Sequence, residues 1–199
     1  MKNVVGRKLF SLPELFMVVY YGMRSMPYLA KSRRAGELSP EFMERIMLAV
    51  TEVNGCAICS YAHTKVALQA GMSNEEIQNL LSGVLTDVPS EEVQAILFAQ
   101  HYADSRGKPA EDTWERIIET YGLSKAQGIL GAIRVIMMGN AYGIPWTSFI
   151  NRFKGKADKR SSLLYEAEVI ILGSLLMPLA MLAGLFAVVF RREIIRFRS

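Results

Sequence analysis

The stretch that decides the fold is residues 51–63, TEVNGCAICSYAH, in which a turn signal separates two helical patterns. The dipeptide Asn54-Gly55 favours a turn, so a first helix is expected to end at Val53. A second helix is expected to begin at about Cys56, immediately after the turn. The stretch therefore predicts two consecutive helices that fold back against each other.

The chain has two cysteines, and they are only three residues apart. Secreted disulfide scaffolds spread their cysteines to close long loops, whereas Cys56 and Cys59 would constrain almost nothing. On a helix Cys56, Cys59 and His63 share one face, because residues three and four apart are neighbours there. Cys56 also lies at the helix N-terminus, where the helix dipole favours a thiolate. The spacing therefore predicts a redox-active dithiol, with His63 as a base for Cys59.

A histidine that moves protons usually needs a carboxylate partner, and the preceding helix offers two. Counting outward from the turn, Glu44 comes level with His63 and Glu52 comes level with Cys56. Glu44 also lies in an otherwise apolar helical stretch, where an unpaired carboxylate is costly. We therefore predict that Glu44 is the partner of His63.

Two other interpretations of these residues stay open. Cys56, Cys59, His63 and Glu44 could all be zinc ligands, but this spacing on one helix fits a tetrahedron poorly and no second Cys or His cluster follows. Alternatively, the cysteines form an inert buried pair. We expect no metal and no bound cofactor, because the chain has no glycine-rich phosphate loop and no visible flavin or haem motif.

Helix signals recur along the rest of the chain and strand signals do not, so the predicted fold class is all-α. Helix starts are expected at Ser11, Ser39, Ser73, Ser90 and Ser124. Ser11 and Ser73 begin capping boxes, Ser39 precedes a proline, and Ser124 is followed by Gln127 three residues later. Gly122 is expected to end a short helix that starts at Glu111, and the helix after Ser124 is expected to end near Tyr142. Gly143, Pro145 and the basic residues of 154–160 then predict a domain boundary. This gives an all-helical domain over 1–160, with its core at 35–155.

The remaining segment, 161–199, contains an uncharged run at 169–190. As a helix rising about 1.5 Å per residue, that run spans roughly 33 Å, close to the thickness of a bilayer core. It predicts a single-pass C-terminal membrane anchor that contacts lipid; a buried helix at an oligomer interface is the alternative. No convincing signal peptide opens the chain, so we expect the catalytic domain in the cytoplasm, although basic residues flank both ends of the run.

The charge balance disfavours nucleic acid as a partner. Lys and Arg number 23 and Asp and Glu number 19, which gives a net charge of +4. Most of this excess lies in the last nine residues, so the domain itself is close to neutral and lacks a basic face. A basic tail is compatible with anionic lipid head groups.

Glu44 followed by Cys56-x-x-Cys59-x-x-x-His63 resembles the signature of the alkylhydroperoxidase D branch of the carboxymuconolactone decarboxylase family. Residues 70–77 resemble the turn of that family into its next helix. The resemblance implies an all-α bundle that assembles into trimers or hexamers. It also implies peroxide reduction by the two cysteines, with Glu44 and His63 relaying protons.

One position departs from this family pattern. Members of the branch commonly carry a second histidine just before the second cysteine, where this chain has Ile58. Our leading hypothesis is a thiol-dependent peroxidase in which Cys59 reacts with peroxide, Cys56 resolves, and an external dithiol, such as a thioredoxin-like donor, restores both. The alternatives are a lyase of the decarboxylase type, which uses Glu44 and His63, and a non-enzymatic membrane-tethered redox sensor.

Overall fold

The computed structural model describes residues 9–190, 193–195 and 197. The described residues form α-helices and contain no strand, which confirms the predicted fold class. The predicted basic tail residues Arg191, Arg192, Arg196 and Arg198 lie outside the described residues, as do residues 1–8. The helices are α1 (Leu12–Arg34), α2 (Pro40–Asn54), α3 (Ala57–Ala70), α4 (Asn74–Leu81), α5 (Val93–Asp104), α6 (Glu111–Arg152), α7 (Leu163–Glu168) and α8 (Ser174–Val189).

The ends of α2, α3 and α4 follow the local signals in the sequence. The Ser39 hydroxyl accepts a hydrogen bond from the N–H of Phe42 at the start of α2, and Ser73 caps α4 in the same way. Gly55 (φ 69°) and Gly71 (φ 105°) end α2 and α3 in the left-handed conformation, which glycine adopts without a Cβ clash. The turn predicted at Asn54-Gly55 is therefore confirmed.

The start of α5 differs from its prediction by three residues. The helix begins at Val93 rather than at Ser90, because the N–H of Glu92 bonds to Pro89 O (2.8 Å) in a separate turn. The Ser90 hydroxyl contacts the Glu91 carboxylate (3.4 Å) instead of capping the helix. A short polar side chain can bond locally in several ways, so the presence of a serine alone does not determine the helix start.

The helix end predicted near Tyr142, at Gly143 and Pro145, is wrong. Gly122 does interrupt α6 as expected (φ 73°, ψ 156°), but the helix then continues without a further break to Arg152. Proline removes one backbone donor from a helix, but α6 passes through Pro145, which is buried together with its neighbour Ile144. Tertiary packing therefore overrides the local signal.

Helix α6 is the central element, and α1 packs antiparallel against it. A Cβ on Gly131 of α6 would lie 2.9 Å from Leu29 Cβ, and one on Gly128 would lie 2.4 Å from the Ser32 side chain. These two glycines therefore let the two backbones approach closely. Helices α2, α3 and α5 pack on other parts of α6 and complete the core.

The predicted apolar C-terminal helix is present and begins earlier than expected. A π-helical turn, Val169–Gly173, joins α7 to α8, so one helix extends over Leu163–Val189. Its length of 27 residues and a mean hydropathy of 2.4 over its most apolar 18 residues make it long and apolar enough to cross a membrane. Its start is held by Glu166, a fully buried carboxylate that accepts hydrogen bonds from Ser148 (2.6 Å), Arg152 (2.6 Å) and Ser161 (2.8 Å).

These bonds make the free energy of unfolding depend on Glu166 ionisation. The Arg152 hydrogen bond is the main cause that lowers the Glu166 pKa from 4.5 to about 2. A lowered folded-state pKa gives stability that is complete above pH 4.5 and is lost as the pH falls toward 2. We expect Glu166→Gln to lower the free energy of unfolding by about 2–3 kcal/mol at pH 7, and by progressively less below pH 4.5.

Urea unfolding of both proteins between pH 2 and pH 7 checks this prediction. The matched control is Asp112→Asn, which removes an exposed ion pair with Arg116 (3.5 Å) and should change stability by less than about 0.5 kcal/mol. Equal losses in the two variants would contradict the role assigned to Glu166.

Candidate active site

The two cysteines lie at the start of α3 and are joined as a disulfide. Cys56 is the N-cap residue, Cys59 lies in the first turn, and their Cα atoms are 5.3 Å apart. Cys56 is completely buried, whereas Cys59 is 8% exposed. Cys59 is therefore the sulfur that a molecule from solvent reaches more easily.

The structure brings Glu44 and His63 together across the α2–α3 reversal. Glu44 Oε2 lies 2.7 Å from His63 Nδ1, and the glutamate side chain is almost fully buried. An ionised Glu44 accepts from Nδ1–H, so the neutral ring carries its lone pair on Nε2. Nε2 makes no hydrogen bond to any residue that the structure describes. His63 lies one helical turn beyond Cys59, so the two residues share one side of α3.

Helix α6 forms the wall behind the disulfide. A Cβ built on Gly143 would lie 2.8 Å from Cys56 Sγ, 3.0 Å from Cys59 Sγ and 3.2 Å from Ile58 Cγ2. Any side chain at this position would therefore collide with the sulfurs. The glycine thus provides the space in which the dithiol sits.

Two polar contacts hold the end of α2 against the same stretch of α6. The Thr51 hydroxyl donates to Asn140 Oδ1 (3.2 Å), and Asn54 Nδ2 contacts Met137 Sδ (3.1 Å). Because these residues lie one to two turns before Gly143 on α6, they align that glycine with the cysteines.

Arg160 also stabilises the turn between α2 and α3, through hydrogen bonds to its backbone. Its guanidinium donates to the carbonyls of Asn54 (3.1 Å) and Gly55 (3.3 Å), the last residues before Cys56, and to Asp158 (2.6 Å). Burial alone would raise the Asp158 pKa, but the Arg160 hydrogen bonds outweigh burial and lower it, so the pair is ionic at neutral pH. A cation at the C-terminus of α2 complements the helix dipole and brings positive charge near the start of α3.

Sequence reasoning missed Gly143 and Arg160. Both were interpreted as parts of a boundary, and neither carries a local signal of a site, because Gly143 faces residues 84 and 87 positions earlier and Arg160 bonds residues 105 and 106 positions earlier. Among the described residues, no group of three or more His, Cys, Asp or Glu side chains is placed to hold a metal ion.

These features define an all-helical protein with a Cys-x-x-Cys pair beside a buried glutamate–histidine pair. Residues 23–101 match the model of the carboxymuconolactone decarboxylase family, which confirms the predicted family resemblance over that segment. The matched segment contains Glu44, Cys56, Cys59 and His63, whereas α6 and the apolar C-terminal helix lie beyond it. No curated protein and no solved structure matches the chain.

The role of Gly143 gives a direct test. Replacing a helical glycine by alanine ordinarily stabilises a helix by about 0.5–1 kcal/mol. We expect Gly143→Ala instead to destabilise the protein by about 1–3 kcal/mol, because the new methyl group collides with both sulfurs. The matched control is Gly139→Ala, one turn earlier in α6, where the nearest atom to the new Cβ is 3.8 Å away.

Urea unfolding with the disulfide intact measures both effects. A Gly143→Ala variant as stable as Gly139→Ala would show that α6 does not confine the dithiol.

Proposed function

We propose that the protein reduces organic hydroperoxides through a Cys56–Cys59 dithiol/disulfide cycle, as a thiol-dependent peroxidase of the alkylhydroperoxidase D type. The observation that supports this proposal best is the placement of the two sulfurs in bonding contact, one helical turn from a histidine whose other nitrogen is held by a buried carboxylate. The family match over the same segment supports it further.

The proposed cycle begins with the reduced dithiol. His63 Nε2 takes the proton of the Cys59 thiol, and Glu44 stabilises the imidazolium through Nδ1–H. The Cys59 thiolate attacks one peroxide oxygen, the O–O bond breaks, and the departing alkoxide takes the proton from His63 to leave as an alcohol. Cys59 is then a sulfenic acid.

The second half of the cycle uses the other sulfur. The Cys56 thiol attacks the Cys59 sulfenic sulfur, water leaves, and the disulfide forms. An external dithiol, such as a thioredoxin-like protein, reduces this disulfide and is itself oxidised. The balance is one hydroperoxide and one dithiol converted to one alcohol, one water and one disulfide, and none of these steps needs a bound cofactor.

The assignment of Cys59 as the peroxide-reactive residue rests on access and on its neighbour. Cys59 keeps 8% exposure and lies one turn from His63, whereas Cys56 is completely buried. Cys56 has the better position in the helix dipole, which suits a thiol that must be deprotonated when it resolves the sulfenic acid.

The proposal extends to partners. The exposed side of α3 carries Ile58, Tyr61, Val66 and Leu68, an apolar surface that suits the trimer or hexamer implied by the resemblance.

We also propose that the apolar helix Leu163–Val189 holds the protein at a membrane, with the dithiol domain on the cytoplasmic side. Light scattering of the purified protein tests the oligomeric state, and fractionation of cells that produce the protein tests the membrane attachment.

A thiol titration tests the proposed chemistry. One equivalent of an alkyl hydroperoxide should consume both thiols of the reduced protein and give a Cys56–Cys59 disulfide by peptide mass spectrometry, and a dithiol should restore the thiols. Cys56→Ser should stop at a sulfenic acid on Cys59 that dimedone traps, whereas Cys59→Ser should slow the first step at least a hundredfold. An intact first step in Cys59→Ser would exchange the two assignments.

A second candidate function is supported by the Glu44–His63 pair, because that pair is independent of the sulfurs and the family includes decarboxylases. A lyase that uses these residues as acid and base would remain active in the Cys56→Ser, Cys59→Ser double variant. Slow turnover together with a well-defined disulfide potential would favour a redox sensor instead.

A substitution at Ile58 is expected to increase the rate of the peroxide step rather than to lower it. This residue replaces a histidine that the resemblance places there, and its side chain is half exposed, so a polar residue is tolerated. We expect Ile58→His to increase the rate of the peroxide step about tenfold, because it adds a proton-handling group beside Cys59. Ile58→Gln controls for polarity alone, and stopped-flow thiol oxidation measures both variants; equal rates in the two would show that the missing histidine does not limit the reaction.

A further inference from the structure

Helix α8 has two opposite faces with different side chains. The buried residues on the face packed against the domain are small: Gly173, immediately before α8, Ala180, Gly184 and Ala187. The partly buried Met177 and Met181 pack beside them. The opposite face is exposed and consists of large apolar residues: Leu175, Leu179, Leu182, Phe186 and Val189. The helix is therefore docked on the protein by one side, and the other side presents a continuous apolar row.

The docked face follows the domain along the whole helix. A Cβ on Gly173 would lie 3.7 Å from Leu15 Cδ1, and one on Gly184 would lie 2.7 Å from the Tyr20 carbonyl oxygen. Helix α8 thus runs parallel to α1 and beside it, rather than projecting away from the bundle.

The chain also returns to the domain after α8. Ile194 is buried, and its carbonyl accepts a 2.8 Å hydrogen bond from Arg134 Nη1 in the middle of α6. At the other end of the same helix, Glu166 is bonded to Arg152 of α6. Both ends of the apolar helix are therefore tied to the same body.

This packing is incompatible with a lone spanning helix. If α8 crossed the bilayer in this arrangement, the adjacent lengths of α1 and α6 would be carried to the same depth. They bear Arg24 and Arg134, and charged side chains at the bilayer centre are costly and rare. A helix that contacts lipid along one side only meets no such cost.

We infer that α8 lies in the plane of a membrane and inserts its exposed apolar face into one leaflet, so that the protein binds from one side without crossing. This inference rests on the membrane attachment proposed above. The surroundings of the helix fit anionic lipid, because exposed Lys154, Lys156 and Lys159 precede α7. Trp146 and Phe153 are exposed on the end of α6 that packs against α7, as is usual near head groups.

Vesicle flotation of the purified full-length protein tests the binding. We expect it to float with preformed vesicles that contain phosphatidylglycerol, and less with vesicles of phosphatidylcholine alone. The double variant Leu179→Glu, Leu182→Glu changes side chains that are 59% and 55% exposed, so it should keep the fold and lower the bound fraction at least tenfold. Leu97→Glu, a 46% exposed position on α5, is the matched control and should float like the wild type.

Protease protection tests the orientation. The chain, with a tag at each end, is reconstituted by detergent removal and digested outside sealed vesicles. Our inference expects both tags on one side, so the surviving molecules keep both. Protease-resistant molecules that keep a single tag would show that the helix crosses the membrane. That result would overturn the in-plane arrangement but not the proposed membrane attachment. The membrane attachment and the in-plane arrangement would both be overturned if the wild-type protein did not float and the Leu179→Glu, Leu182→Glu variant changed only the oligomeric state.

Discussion

The reversal of the chain at Gly55 is the constraint on which the site depends. Its left-handed conformation (φ 69°) ends α2 and sends α3 back along it within one residue. That geometry makes Cys56 the N-cap of α3 and brings His63, in the second turn of α3, level with Glu44, ten residues before the end of α2. A residue with a Cβ at position 55 would strain this turn and misalign both the dithiol and the glutamate–histidine pair.

The residues that surround this reversal are distant from it in the sequence. Arg160 holds the carbonyls of the turn, Asn140 and Met137 anchor the last turn of α2, and Gly143 leaves room for the sulfurs. Gly143 and Pro145 are poor helix residues, yet they lie inside α6. At Gly143 this local inconsistency is tolerated because the sulfurs of the disulfide leave no room for a side chain.

The limits of sequence-based prediction in this protein follow from the range of each interaction. Helix caps at Ser39 and Ser73 and the glycine terminators at Gly55 and Gly71 act within four residues, so the sequence alone located them. The alignment of Glu44 with His63 could also be predicted by counting residues outward from the turn, because it depends only on that turn and on two regular helices. The contact of Gly143 with the cysteines depends on how α6 packs, and no local pattern encodes it. The return of Ile194 to Arg134 likewise depends on the packing of α8 along the domain.

The apolar C-terminal helix and the dithiol share one structural element, although they are far apart in sequence. The Tyr142 hydroxyl donates to the carbonyl of Gly173 (3.0 Å), in the π-helical turn that leads into α8. The next residue of α6 is Gly143, whose Cα hydrogen faces both sulfurs. The C-terminal helix is therefore hydrogen-bonded to α6 one residue before the glycine that makes room for the sulfurs.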